Sequence, residues 1–289
     1  MLGHAIVSLN GVGIAVVLLA YNAASTLAMT VAEIDRQVVD EVILVDDGSV
    51  DTTWALAADL DLVAIRHGQN RGYGANQKTC YRIALQRGAD VVVMLHPDYQ
   101  YSPRLVPAMA AMIAYGEYDM VLGSRILAQS AVAGGMPRYK YVSNRLLTAF
   151  ENVIVGAKLS EYHTGLRAYS RALLTSLPFD SNSDDFVFDN QMIVQALMAG
   201  ARIGELSCPT RYNEEASSIN FARSVAYGLG VCRSALEYRL HVWRLVHPAY
   251  LESVQRLPPG GGAKRVAPPT PSAGPAGGST GGPEQPCGR

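Results

Sequence analysis

An excess of basic charge is the first thing missing from this 289-residue sequence. Lys and Arg number 24 against 25 Asp and Glu, a formal net charge of −1. No bulk positive field draws such a chain to a polyanion, which argues against nucleic acid as a partner. Cysteine is scarce too, with four in the chain. Cys80, Cys208, Cys232 and Cys287 are scattered with no paired spacing. That argues against a disulfide framework and a zinc site, and suits a reducing cytoplasm. No apolar run reaches about 18 residues, so no spanning helix is predicted. The N-terminal "AIVSLNGVGIAVVLLA" has no basic leader, is broken by Asn10 and Gly11, and precedes no small-residue cleavage site, which speaks against a signal peptide. Internal repeats are absent as well.

What remains is an apolar, lightly charged chain. Hydrophobic residues make up 49% and charged ones 17%, and the length is enough to bury a sizeable core. In the first half, apolar runs alternate with helical spacing. The runs Gly13–Ala20, "EVILVD", "LVAIRH" and "DVVVML" read as strands. Between them "STLAMTVAEIDRQV", with Ser25 as a cap, and "VDTTWALAADL", with Asp51 as a cap, read as helices. "ANQKTCYRIALQRG" is a third helix, closed by Gly88. "SPRLVPAMAAMIAY" is a fourth, with proline at its first position. The order predicts an α/β fold with a mostly parallel sheet covered on both faces. Ligands of such sheets bind at the carboxyl ends of the strands.

Past Leu122 the pattern loosens. Residues 123–140 read as a long loop, followed by a helix from Val142 to Val155. "GLRAYS" and "RIGELSCP" read as strands around the helix "FDNQMIVQALMAG", and apolar spacing predicts a last helix over 224–247. Residues 1–257 are expected to form one domain. Residues 258–289, rich in Pro and Gly, have too little apolar surface to repay ordering and are expected to be disordered.

The chemistry gathers at the strand ends. "VDDGSVDTT" places Asp46 and Asp47 after the second strand. Either this is a turn rich in turn formers, or a carboxylate there accepts the N–H of a nucleobase. "NRGYGANQ" places Gly72 and Gly74 before a helix, where backbone N–H groups can approach an anion. It is not a dinucleotide fingerprint, being neither first in the sheet nor correctly spaced. "VVVMLHPDYQYSP" runs from a buried strand straight into His96, Asp98 and Gln100.

In that order, "AYN", "VDDGSVDTT", "NRGYGAN" and "HPDYQ" resemble the family 2 nucleotide-sugar glycosyltransferases with their Rossmann-like GT-A fold. "GSR" at 123–125, "HTGLRAYSR" and "FDNQMIVQALMAGARIGEL" are similar to the polyprenyl-phosphate sugar synthases within that family. The resemblance spans roughly residues 13–228. It implies transfer of a sugar, with inversion, from a nucleotide diphosphate to a polyprenyl phosphate or related acceptor. Ala20, Tyr21 and Asp47 would line the nucleobase pocket, with Asp46, Asn70, Gly72 and Gly74 also on the donor side. "HPDYQ" would be the metal motif for Mn2+ or Mg2+. The family form has carboxylates at its first and third positions and often glutamine at the fifth, so Asp98 and Gln100 match and His96 replaces a carboxylate. Imidazole moves a site toward manganese, unless His96 hydrogen-bonds a phosphate instead.

Arg125 would clamp the diphosphate or an anionic acceptor, its alternative being a surface salt bridge. Arg138, Lys140 and Ser143 fall in the acceptor region; Arg211 and Arg223 fall where relatives close over the diphosphate. Glu161 stands where relatives carry aspartate, and His163 reads as a packed, hydrogen-bonded histidine. On a hydroxyl acceptor one of Asp184, Asp185 and Asp189 would act as general base; a phosphate acceptor needs none, and Asp189 would then position the sugar or cap its helix. Two other functions stay open: the same fold serving a sugar or protein hydroxyl, and a nucleotide-sugar-binding protein without turnover. A lipid-phosphate acceptor would place the protein in the cytoplasm, at the cytoplasmic face of a membrane. There the last helix would lay Val225, Leu229, Cys232, Leu236, Leu240 and Trp243 on the bilayer, or else simply pack on the sheet.

Overall fold

The computed structural model describes residues 9–127, 130–210 and 221–258. Its centre is a seven-stranded sheet: β1 (Ile14–Ala20), β2 (Glu41–Asp46), β3 (Val63–Arg66), β4 (Val91–Leu95), β5 (Met120–Ser124), β6 (Arg167–Ser170) and β7 (Ile203–Ser207). They lie in the order β3-β2-β1-β4-β6-β5-β7. All pair in parallel except β6, which runs antiparallel between β4 and β5. The helices are α1 (Leu27–Ala32), α2 (Thr53–Asp59), α3 (Tyr73–Gln86), α4 (Val106–Ala114), α5 (Ser130–Ala133), α6 (Arg138–Glu151), α7 (Arg171–Ser176), α8 (Phe188–Met198), α9 (Phe221–Val242) and α10 (Ala249–Glu252).

Every residue of β1 is buried, and its alternating side chains feed two cores. Ile14, Val16, Leu18 and Ala20 join Val106, Met109 and Ile113 of α4 on one face. Ala15, Val17 and Leu19 join Cys80, Tyr81 and Ala84 of α3 and Met192 and Ile193 of α8 on the other. A smaller cluster packs α9 and α10 behind α8 through Val194, Ala235, Tyr250 and Leu251. The chain moves from β1 outward to β3, then returns to the other side of β1 as β4. The switch point therefore lies between the carboxyl ends of β1 and β4, the place where such sheets bind ligands.

The antiparallel strand has a consequence for that switch point. Because β6 runs the other way, its first residue, Arg167, pairs in register with Met94 near the end of β4. A strand start is thus delivered to the rim that otherwise collects strand ends.

Several boundaries differ from those the sequence predicts. The first helix covers Leu27–Ala32, not 25–38, and Ser25 does not cap it. Asp35 accepts the Gln37 N–H at 2.9 Å, a local bond that competes with helix continuation. Asp51 accepts the Thr53 N–H at 3.0 Å one residue outside the cap position of α2. Residues 123–140 are not one loop: α5 lies within them and α6 begins at Arg138. The last helix runs Phe221–Val242, starting and ending earlier than expected. The predicted tail falls outside the described residues from 259 onward, as do residues 1–8. No described helix is long and apolar enough to cross a membrane.

Candidate functional site

The turn after β2 is built on two carboxylates that point inward. Asp46 is fully buried; it accepts the Ser49 N–H at 3.1 Å and pairs with Arg66 at 3.1 Å. Asp47 faces the His67 Nδ1 at 2.6 Å and accepts the N–H groups of Arg71 at 2.9 Å and Gly72 at 3.0 Å. It laces the turn after β2 to the turn after β3. Ala20 packs its methyl in the core and offers the rim only its carbonyl, which accepts the Asp47 N–H at 2.8 Å. Of the three residues expected around a nucleobase, only Tyr21 opens to solvent, at 50% exposure. The exposed Asn70 accepts the Gly72 N–H at 3.1 Å.

The glycine pair does something other than expected. Gly74 donates its N–H to the Asp184 carbonyl at 2.7 Å, and Gly72 donates to Asp47 and Asn70. A Cβ on Gly74 would run into the Ser183 carbonyl, and one on Gly72 would lie 2.5 Å from the Asp184 carbonyl. These glycines admit another stretch of the protein, the segment before α8, where the sequence reading placed an anion. Lys78 fastens the same segment, donating to Asn182 O at 2.5 Å and Asp184 at 2.7 Å.

After β4 the chain alternates in depth. Pro97, Tyr99 and Tyr101 are buried, whereas His96, Asp98 and Gln100 are half-buried. Tyr99 adopts φ 56°, uncommon for a bulky residue, and its hydroxyl reaches Glu33 at 2.5 Å. The three polar side chains between the buried ones stay partly open to solvent. One oxygen of Asp98 accepts the Gln100 N–H at 3.0 Å.

His96 leads into a buried network. Its ring lies parallel to Tyr73, within 4° and 5.6 Å between centroids, and Nε2 is 3.1 Å from the Tyr73 hydroxyl. That hydroxyl donates to Asp189 at 2.9 Å, and Gln77 donates to the other Asp189 oxygen at 2.7 Å. The guanidinium of the fully buried Arg167 stands 3.6 Å from Asp189. It also donates to the carbonyls of Thr164, Tyr162 and Asp189 itself. Burial, then the charge of Asp189, holds the Tyr73 phenol well above its ordinary pKa of 10.0, so it keeps its proton. Asp189 is surrounded by donors, a poor position for a general base.

Arg125, expected to clamp an anion, grips an internal carboxylate. Its N–H and Nε donate to the two oxygens of Glu161 at 2.7 and 2.8 Å, and Nη2 reaches the carbonyl of His163 at 2.6 Å. Glu161 is fully buried and Arg125 nearly so. Burial alone would raise the Glu161 carboxyl; Arg125 and Asn144 outweigh it and hold the group below its ordinary value of 4.5. His163 is packed as expected, with Tyr227 at 2.9 Å and the buried Glu151 at 3.2 Å. Arg138 and Lys140 lie in the first turn of α6 and Ser143 one turn on, Arg138 and Ser143 exposed. Arg223 sits exposed at the start of α9, and Arg211 lies outside the described residues.

The sequence reading missed Tyr73, Gln77 and Arg167. Arg167 carried a signal, since an arginine inside "GLRAYS", a predicted strand, must find a buried counter-charge. Tyr73 sat between two glycines that drew attention instead.

A mostly parallel sheet with one antiparallel insertion, a switch point between β1 and β4 and an acidic turn after β4 define the GT-A class of glycosyltransferase folds. The glycosyl transferase family 2 pattern matches residues 15–177, more than half of the sequence, and the chain belongs to that family. It is 29% identical over 233 residues to a dolichyl-phosphate hexose transferase of Haloferax volcanii, covering 79% of this chain and 96% of that one. It is 27% identical over 212 residues to the UDP-N-acetylglucosamine–dolichyl-phosphate N-acetylglucosaminyltransferase of Methanococcus voltae, covering 68% and 84%. In fold it is similar to Mycobacterium tuberculosis glucosyl-3-phosphoglycerate synthase, solved with Mn2+, UDP and phosphoglyceric acid. There the TM-score is 0.60 at 21% identity, covering 79% of each chain.

Proposed function

We propose that this protein transfers a hexose, with inversion and with a divalent ion, from a nucleotide diphosphate sugar to a polyprenyl phosphate. The observation that carries the reading is the turn after β4. There His96, Asp98 and Gln100 are half-buried while the alternate Pro97, Tyr99 and Tyr101 are buried, on the turn that follows a strand bordering the switch point.

The donor set fits Mn2+ or Mg2+ held jointly with substrate. No group of three or more His, Cys, Asp or Glu able to hold a metal occurs among the described residues. Ions of this kind are commonly bound by one or two protein ligands plus phosphate oxygens and water. Asp98 would supply an oxygen and His96 a nitrogen, a mixture that suits manganese. When bound, the ion offsets charge developing on the departing diphosphate.

The engagement of Asp189 supports a phosphate acceptor. A hydroxyl acceptor needs a base, and Asp189 is engaged by Tyr73, Gln77 and Arg167. A phosphate acceptor is already ionised near neutral pH and attacks unaided. Two helices beside the acceptor region also suit a lipid. On α6, Tyr139, Val142 and Leu146 are exposed at helical spacing, and on α9 Val225, Leu229 and Leu236 are, with Trp243 exposed just past its end. The opposite face of α9 carries the buried Val231, Ser234 and Ala235. Exposed Arg138, Arg145 and Arg233 can meet anionic headgroups at a cytoplasmic membrane surface.

The test is thermal stabilisation by UDP- and GDP-linked sugars, with and without Mn2+. Binding to the folded state raises Tm with occupancy. One nucleotide sugar should stabilise the protein, and more strongly with the ion. Equal response to all, or to none, contradicts the reading.

A further inference from the structure

The His96–Tyr73–Asp189 chain fixes where one proton sits. Tyr73 has a single hydroxyl hydrogen and two partners, His96 Nε2 at 3.1 Å and Asp189 Oδ2 at 2.9 Å. Asp189 meets donors on its other side, Gln77 at 2.7 Å and the Arg167 guanidinium at 3.6 Å, and so serves as acceptor. The Tyr73 hydrogen therefore points to Asp189, and its oxygen is left to accept. The only group that can donate to it from the histidine is an Nε2–H. In a neutral imidazole the lone pair is then on Nδ1, which has no hydrogen-bond partner among the described residues.

The ring is also held in place. Tyr73 is parallel to it on one side. Gly165 presses on its edge so closely that a Cβ there would lie 2.7 Å from both Cδ2 and Nε2. Gly165 in turn donates its N–H to the Tyr101 hydroxyl at 2.9 Å, and Tyr101 flanks the imidazole at 6.2 Å between centroids. Such confinement has no use for a histidine merely facing solvent. It suits one whose remaining nitrogen must be aimed.

We propose that Tyr73 is a positioning residue for His96: held by Asp189, its hydroxyl fixes the Nε2–H tautomer and leaves the Nδ1 lone pair as the donor to a divalent cation. Metal-binding histidines are generally oriented through their second nitrogen, often by a carboxylate. Here the carboxylate acts through a tyrosine. The cation role rests on the transferase reading above; the tautomer does not. The same chain accounts for a histidine in a position where the family form carries a carboxylate. A carboxylate there would compete with Asp189 for the one hydroxyl hydrogen, whereas an Nε2–H complements it.

Two measurements on the full chain test this. Two-bond 1H–15N correlation of the histidine rings, without metal or nucleotide, should show His96 of the wild type as the Nε2–H form. Tyr73→Phe should lose that uniformity. An Nδ1–H signal in the wild type overturns the proposal, whether or not Tyr73→Phe folds. Mn2+ titration with UDP and with GDP, followed by electron paramagnetic resonance, should show nitrogen hyperfine coupling that His96→Ala removes. Tyr73→Phe should weaken Mn2+ binding about 10-fold, yet add no loss in a His96→Ala background. The same loss in both backgrounds would mean a general structural role and would overturn the proposal. If the wild type binds Mn2+ with neither nucleotide, the cation role and the transferase reading both fail, and the metal-free spectrum still decides the tautomer separately.

Discussion

Glu161 and Arg125 illustrate how a residue picked out for chemistry can be doing structural work. Glu161 is fully buried and the Arg125 side chain only 12% exposed, so removing the carboxylate charge leaves the guanidinium without its counter-charge in a largely dry site. Glu161→Gln should cost about 3–5 kcal/mol, the usual cost of breaking a buried pair from one side. Urea unfolding at neutral pH checks it. The Glu161 pKa is lowered in the folded protein from an ordinary 4.5. Its stabilisation is therefore complete above that value and disappears as pH falls through the lowered folded one. The acid limb of the stability profile should flatten in Glu161→Gln. Asp98 is the contrasting case. It is half-buried on the rim, so Asp98→Ala should leave Tm within a few degrees while transfer falls by about 100-fold or more. Comparable turnover by the folded variant would remove it from the site.

Elements were legible where burial is uniform. The parallel strands β1, β2 and β4 were readable as nearly fully buried apolar runs, and the only partly buried β3 because its run is apolar between segments of helical spacing. Boundaries failed where a polar side chain or a tertiary contact decides them, as with Asp35 after α1. The start of α6 was lost because Arg138 and Lys140, cations in a first helical turn, oppose the helix dipole. The tertiary contacts of the glycine turn were hidden as well. Gly72 and Gly74 read as an anion cradle because their true neighbour, the segment 183–184, lies 110 residues on. Gly74→Ala measures that contact directly. Its methyl would strike backbone, which cannot swing aside, so a loss of about 1–3 kcal/mol is expected. A neutral result in thermal or urea unfolding would show that the segment does not pack there.

Across the whole molecule, the order of motifs said more than any one of them. The sequence placed the residues after the second and fourth strands on one rim, and the parallel strands β1 to β4 put the turns that follow them there. What no local pattern could show is that β6 runs backward and delivers Arg167 to that rim, since strand direction is set by pairing. The exposed faces of α6 and α9 give the molecule an apolar side flanked by arginines. Leu146 is 67% and Leu229 68% exposed, so Leu146→Glu and Leu229→Glu should hardly change stability. Each should weaken sedimentation with anionic vesicles about ten-fold, the scale of one leucine withdrawn from an apolar phase. Binding of the wild type should fall in high salt. Vesicle binding that ignores both substitutions would place the contact elsewhere.

The central claim is transfer of a hexose to a lipid phosphate, and one assay addresses it most directly. Radiolabelled UDP- and GDP-hexoses are incubated with the protein, Mn2+ and a polyprenyl phosphate, against a matched polyprenol that lacks the phosphate. The account predicts organic-extractable label only with the phosphate, of inverted anomeric configuration, and absent with Asp98→Ala. Transfer to the free polyprenol, or to a soluble sugar hydroxyl with the polyprenyl phosphate ignored, would contradict it.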